Sequence, residues 1–458
     1  MWLTLGLLSD IDCGTSPIDK FDAGRYDIFT TTPYEDRKMT LTFWAAIVIV
    51  IATIYALVKR YETRLVLCVS GLVMCAIALD PMEAFNQFAK SMTTGGLIQS
   101  ICSAMGFAFL VSYTKADIHL VQLLTRPMKS LGLFVIPCCT ILTTVINAAI
   151  PSASGCAAAV GATLIPLMIR SGITPAGAAA AILAGTYGSN FNPGGAHPVM
   201  ISGMAGIEPM EFIIMNAHIY ATLSLVGALM VTVVEYVLKD HKGTGEMGDI
   251  QTDATGGIDR VNILFAIAPL VPLTILLLGN TCVPAIKMGV AQAMLIGAVY
   301  TMIVTRCDPQ KAFTNFFDGA GKGYANILGI IIAAGVFAAG LRETGVIGAL
   351  IEALKSANEF ARVGGALGTF AMAVLSGSGD AATFAFNEAV TPHAAQFGMT
   401  ITELGNTVMC AAQLGRTTSP IAGVVILLAG LARVSPIDLV KRTAVPMITA
   451  WLVLILIF

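Results

Sequence analysis

Between Leu404 and Leu431 the only charged side chain is Arg416, set in the run "QLGRTTSP" (413–420). A charge at the centre of an apolar helix costs about 2.5–3.5 kcal/mol on an insertion scale, so this guanidinium needs a partner. Three are open: an ion pair with Asp380 or Glu388, a ligand carboxylate held by the guanidinium fork, or an interface reached by snorkelling. Thr417, Thr418 and Ser419 add short donors and acceptors, and Pro420 interrupts a helix. Three other apolar stretches carry similar polar breaks: "PSASG" (151–155), "GSNFNPGG" (188–195) and "SGSGDAAT" (376–383). Half-helices restarting at Pro193 and Pro420, capped by Asn192 and Ser419, would aim positive ends at a cavity, which favours an anion. Asp380 either carries a coupled proton or caps a helix. The five histidines form no cluster, but His197, just past one break, could line the cavity.

These residues must be positioned by membrane helices. The chain of 458 residues is 56% hydrophobic and only 12% charged, about half the share of a soluble domain. Leu41–Val58, Leu97–Thr114, Phe212–Val234, Val261–Ile286, Met288–Thr305 and Thr443–Phe458 are long and apolar enough to span a bilayer. Irregular backbone at membrane depth survives only where protein buries it or it lines a wet cavity. The fold class is therefore an all-α polytopic membrane protein. A net charge of −2 suggests no nucleic-acid partner. The ten cysteines have neither disulfide nor zinc spacing, and no metal site or cofactor is expected beyond a coupling H⁺ or Na⁺. No nucleophile elbow, HExxH or P-loop is present, so the chain reads as no enzyme and no ATP-driven pump. Residues 1–39 form a polar N-terminal tail, expected to be disordered and unlike a signal peptide.

The chain is also written twice. "DPMEAFNQFAKSMTTG" (80–95) aligns with "DPQKAFTNFFDGAGKG" (308–323), and "GTYGSNFNPGGA" (185–196) with "AQLGRTTSPIAG" (412–423). "GMAGIEPMEF" (203–212) aligns with "GLARVSPIDL" (430–439), and "SASG" (152–155) with "SGSG" (376–379). The offsets are 228, 227, 227 and 224. Repeat 1 spans 40–238, with hairpin 1 about 131–170 and a broken helix about 174–206. A charged cytoplasmic linker covers 239–261. Repeat 2 spans 262–458, with hairpin 2 about 360–397 and a broken helix about 402–433. If each hairpin re-enters without crossing, each repeat crosses five times and the two are inverted. With the 59–64 loop in the cytoplasm, sixteen Lys and Arg fall inside and five outside, the tail and Arg416 aside, leaving both termini extracytoplasmic.

Three blocks of the second half, "AAGVFAAGLRETGVIGALI" (333–351), "SGSGDAATFAFNEAV" (376–390) and "LGRTTSPIAGVVILLAGLARVSPIDLVKRTAVP" (414–446), resemble the anaerobic C4-dicarboxylate carriers of the DcuC type, within the ion transporter superfamily. In the first half "SASG" and "GITPAGAAAAI" (172–182) match more weakly. The resemblance implies an elevator-type secondary transporter of succinate, fumarate or malate, with succinate efflux the typical role. It also implies a homodimer in a bacterial inner membrane. By position, Ser152, Ser154, Asn190, Asn192, Ser376, Ser378, Arg416, Thr417, Thr418 and Ser419 take the substrate-site role, with Asp380 the coupling candidate. Asp380 itself departs from the family pattern, where an asparagine is expected. A carrier of another organic anion or amino acid, and an anion channel, are the alternatives.

Overall fold

The computed structural model describes residues 41–125, 134–243, 260–355 and 358–457. The expected tail (1–39), the start of hairpin 1 (131–133) and most of the linker (244–259) lie outside the described residues. The first half runs α1 (Leu41–Val58), α2 (Thr63–Ile77), α3 (Pro81–Met92), α4 (Gly95–Tyr113), α5 (Ala116–Thr125), α6 (Val135–Ala149), α7 (Ala153–Arg170), α8 (Pro175–Gly185), α9 (Ala196–Ala205) and α10 (Pro209–Val237). The second runs α11 (Ile263–Ile267), α12 (Val271–Thr281), α13 (Val290–Thr305), α14 (Pro309–Gly323), α15 (Gly329–Glu343), α16 (Val346–Lys355), α17 (Asn358–Ser376), α18 (Gly379–Ala389), α19 (Ile401–Thr417), α20 (Gly423–Ala432) and α21 (Pro436–Ile457). No strand occurs among the described residues. With α11 and α12 taken together, the elements follow one order in both halves.

Among the described residues, seven helical segments are long and apolar enough to cross a membrane, and shorter apolar helices accompany them. The longest, Pro309–Glu343, joins α14 to α15 through a π-helical turn at Tyr324–Leu328. Such turns leave carbonyls poorly paired. Here Arg64 Nη1 donates to Ala325 O at 2.8 Å. Its neighbour Arg60 donates to Ile421 O, in the gap between α19 and α20, at 2.7 Å. The basic 59–64 loop thus supplies donors to two irregular stretches.

Local chemistry repeats with the sequence. Asp80 and Asp308 cap α3 and α14, each followed by proline at the first helical position. The repeat block 80–95 contains the amphipathic helix α3 with its two caps. Ser152 Oγ accepts from Gly155 N, and Ser378 Oγ from Ala381 N, both at 3.1 Å. The structural mate of Ser152 is therefore Ser378, not Ser376. This corrects the tip alignment by two residues, to an offset of 226.

The restart points also need correction. Helices α9 and α20 begin at Ala196 and Gly423, after Gly195 and Ala422, which share φ −66° and ψ 139° and make no side-chain cap bond. Pro193 and Pro420 lie in the unwound links, and neither Asn192 nor Ser419 is the N-cap. Asn192 is committed elsewhere: Nδ2 donates to Ala148 O at 2.7 Å, and Oδ1 accepts from Gly194 N at 2.8 Å.

Two glycines show how tightly the broken helices pack. A Cβ at Gly188 would stand 2.0 Å from Thr144 O, and one at Gly415, its mate 227 residues on, 2.4 Å from Phe370 O. Backbone meets backbone at both points, which only glycine permits. The two halves are joined at one end by Asp240, whose carboxylate takes Arg442 Nε at 2.8 Å and Nη2 at 2.7 Å, with Thr174 Oγ1 at 2.6 Å. Asp240 falls at the start of the expected linker yet is 2% exposed.

Candidate functional site

The breaks converge on one cavity of about 250 Å³. Pro151 to Ser154 enter from the start of α7, Gly194 to His197 from the start of α9, Asp380 from the start of α18, and Gln413 and Arg416 from the end of α19. Met105 of α4, Ser189 and Ile327 of the π-helical turn complete the wall. Three helix N-termini thus meet one guanidinium. Their partial positive charges and that cation favour an anion, and the carboxylate of Asp380 in the same wall opposes one.

Arg416 is half-buried and loosely held. Its Nε has no hydrogen-bond partner among the described residues, and Nη2 reaches Thr186 O only at 3.5 Å. The Asp380 carboxylate pairs instead with His197, whose Nε2 lies 3.2 Å from Oδ1. His197 Nδ1 is 3.2 Å from Gln413 Nε2, and its ring packs on Phe384 at 4.8 Å between centroids. Of the three partners open to Arg416 in the sequence, no ion pair with Asp380 or Glu388 forms. Glu388 lines a separate basin of about 970 Å³, with Lys90 and Arg342, along the far ends of α4, α9 and α18. Ile101 and Phe384, both buried, lie on those helices between the basin and the cavity.

The sequence-expected residues divide sharply. Ser152, Ser154, Arg416 and Asp380 line the cavity. Asn190 is fully buried with neither amide atom bonded, and it is not in the wall. Thr417 Oγ1 donates to Gln413 O and Thr418 Oγ1 to Gly415 O, each satisfying its own helix. Ser376 Oγ donates to Met372 O, Ser378 caps α18, and Asn192 ties the first break to α6. Ser419 is buried with its hydroxyl unbonded. These residues support the breaks without facing the cavity. Gln413 and Ser189 were missed. Gln413 sits three residues before Arg416, on the same helix face, and Ser189 is the repeat mate of Arg416 at offset 227, so both carried a readable signal.

An all-helical membrane fold with broken helices around a polar cavity is the architecture of a membrane transporter. Solved transporters share this fold. The YdaH transporter of Alcanivorax borkumensis, of unusual topology, matches with a TM-score of 0.56 at 16% identity, over 81% of this chain and 86% of that one. MtrF of Neisseria gonorrhoeae, from a class of antimetabolite efflux pumps, matches with a TM-score of 0.59 at 16% identity, over 82% of each chain.

The chain belongs to the DcuC family, the C4-dicarboxylate anaerobic carriers, whose model matches residues 37–458. The anaerobic C4-dicarboxylate transporter DcuC of Escherichia coli K12 is 26% identical over 443 residues, covering 89% of this chain and 94% of that one. An uncharacterized transporter of Haemophilus influenzae is 48% identical over 278 residues, covering 58% of this chain and 99% of that protein. The chain is thus a multi-pass membrane transporter and not an enzyme.

Proposed function

We propose that the chain carries C4-dicarboxylates such as succinate, fumarate and malate, with ion coupling or by exchange, and that succinate efflux is its main direction. The observation that carries this reading is the cavity, in which Arg416 with an open Nε meets the N-termini of α7, α9 and α18. A guanidinium fork suits a carboxylate, and helix N-termini suit a second one. The cavity of about 250 Å³ has room for a molecule the size of succinate. The DcuC relatives support the substrate class.

The remaining expectations stand in the same proposal: two inverted repeats, elevator movement, a homodimer and both termini outside the cytoplasm. The matched order of elements and the repeated caps support duplication, and the charge bias of the loops supports the orientation. Counterflow of radiolabelled succinate in proteoliposomes, with Na⁺ and pH varied independently, tests the substrate. Saturable exchange with fumarate and malate is expected. Failure of all three to exchange would refute the substrate reading, and unsaturable flux would favour an anion channel.

A further inference from the structure

We infer that His197 binds the coupled proton and that its protonated ring, with the Arg416 guanidinium, holds the two carboxylates of the substrate. The inference rests on the dicarboxylate reading above. The ionisable side chains on the cavity wall are Arg416, Asp380 and His197. With a neutral imidazole the wall carries one positive and one negative charge, and Asp380 opposes an arriving dianion. With an imidazolium it carries a net positive charge, and the Asp380 carboxylate lies 3.2 Å from Nε2. Other elements packed on α9 bring ionisable groups of their own: Cys102 of α4, Glu211, His218 and Glu235 of α10, Glu388 of α18, and Glu403 and Cys410 of α19. None of these lines the cavity.

The placement of His197 is specific. Its side chain is 10% exposed, against 49% for Asp380, and it is wedged between Asp380, Gln413 and the Phe384 ring. Histidine is the residue type whose charge ordinarily changes between about pH 5 and 8. The duplication singles out the same group. The repeat mates of Arg416, Asp380 and His197 are Ser189, Ser154 and Val424, at offsets of 227, 226 and 227. All three charge-bearing groups are additions to a neutral frame. The cycle balances simply: the ring takes a proton from one aqueous side as the dianion binds, and gives it up on the other side as the dianion leaves.

The test uses the full chain in proteoliposomes, with radiolabelled succinate as probe. For the wild type, KM should rise with pH, by up to about tenfold per unit, as one linked proton requires. An imposed pH gradient should drive accumulation. His197→Gln, checked for monodispersity in detergent, should retain exchange at about tenfold weaker affinity, lose the pH dependence and lose accumulation. A second variant guards against misfolding. Asp380→Asn leaves the wall positive with a neutral ring, so its affinity at high pH should rise toward the low-pH wild-type value. Gradient-driven accumulation by His197→Gln, a pH-independent wild-type KM, or Asp380→Asn with unimproved high-pH affinity would each overturn the inference. Wild-type protein that exchanges no C4-dicarboxylate would instead overturn the substrate reading, so the two failures are distinguishable.

Discussion

At the scale of single residues, Arg416 matters for what it leaves open. A half-buried guanidinium with an unbonded Nε and a long contact to Thr186 O has donors to offer a ligand. Arg416→Lys keeps the charge and removes the fork, so succinate affinity measured by counterflow should fall about tenfold or more, the equivalent of 1.4 kcal/mol or above. Unchanged affinity would argue against bidentate binding. Asn192 makes the opposite case, because both ends of its amide serve the backbone. Asn192→Ala leaves the buried Ala148 carbonyl unpaired and should lower stability by about 1–3 kcal/mol, read as a lower melting temperature in detergent.

At the scale of elements, the broken helices are positioned by backbone contact and by one buried ion pair. Gly415→Ala drives a Cβ to 2.4 Å from Phe370 O, so α19 must move away from α17. The cost should be about 1–3 kcal/mol or more, and transport should suffer with stability because Arg416 is on the next residue. Gly423→Ala, where a Cβ meets nothing within 4 Å, is the control and should be silent in the same melting assay. Arg442→Ala strands the Asp240 carboxylate and should destabilise by about 3–5 kcal/mol. The "VKRT" segment that resembles the family therefore supplies struts: Arg442 holds Asp240, and Thr443 Oγ1 donates to Thr417 O at 2.9 Å.

At the scale of the molecule, the proposed inversion makes a labelling prediction. In a cysteine-free background, Lys287→Cys should react with a membrane-impermeant maleimide added to intact cells, whereas Lys59→Cys should react only after permeabilisation. Both positions are exposed. The reverse pattern would place both termini in the cytoplasm and turn the repeats over.

The sequence by itself determined the membrane class, the repeated blocks, the four breaks and the isolation of the Arg416 charge. Each is a local or periodic property: apolar runs long enough to span, a constant offset, glycine and proline where helices cannot continue, one charge in an apolar stretch. It did not determine which polar residues face the cavity. Thr417, Thr418 and Ser376 satisfy carbonyls of their own helices, while His197, Gln413 and Ser189 turn inward. That choice depends on the rotation of each half-helix, and α9 and α20 start three residues beyond their prolines. The rotation is fixed by contacts far apart in the chain, such as Asn192 on Ala148 and Gly415 on Phe370. The sequence located the breaks because they are local, and the tertiary structure decided what they present because facing is set by packing between distant segments.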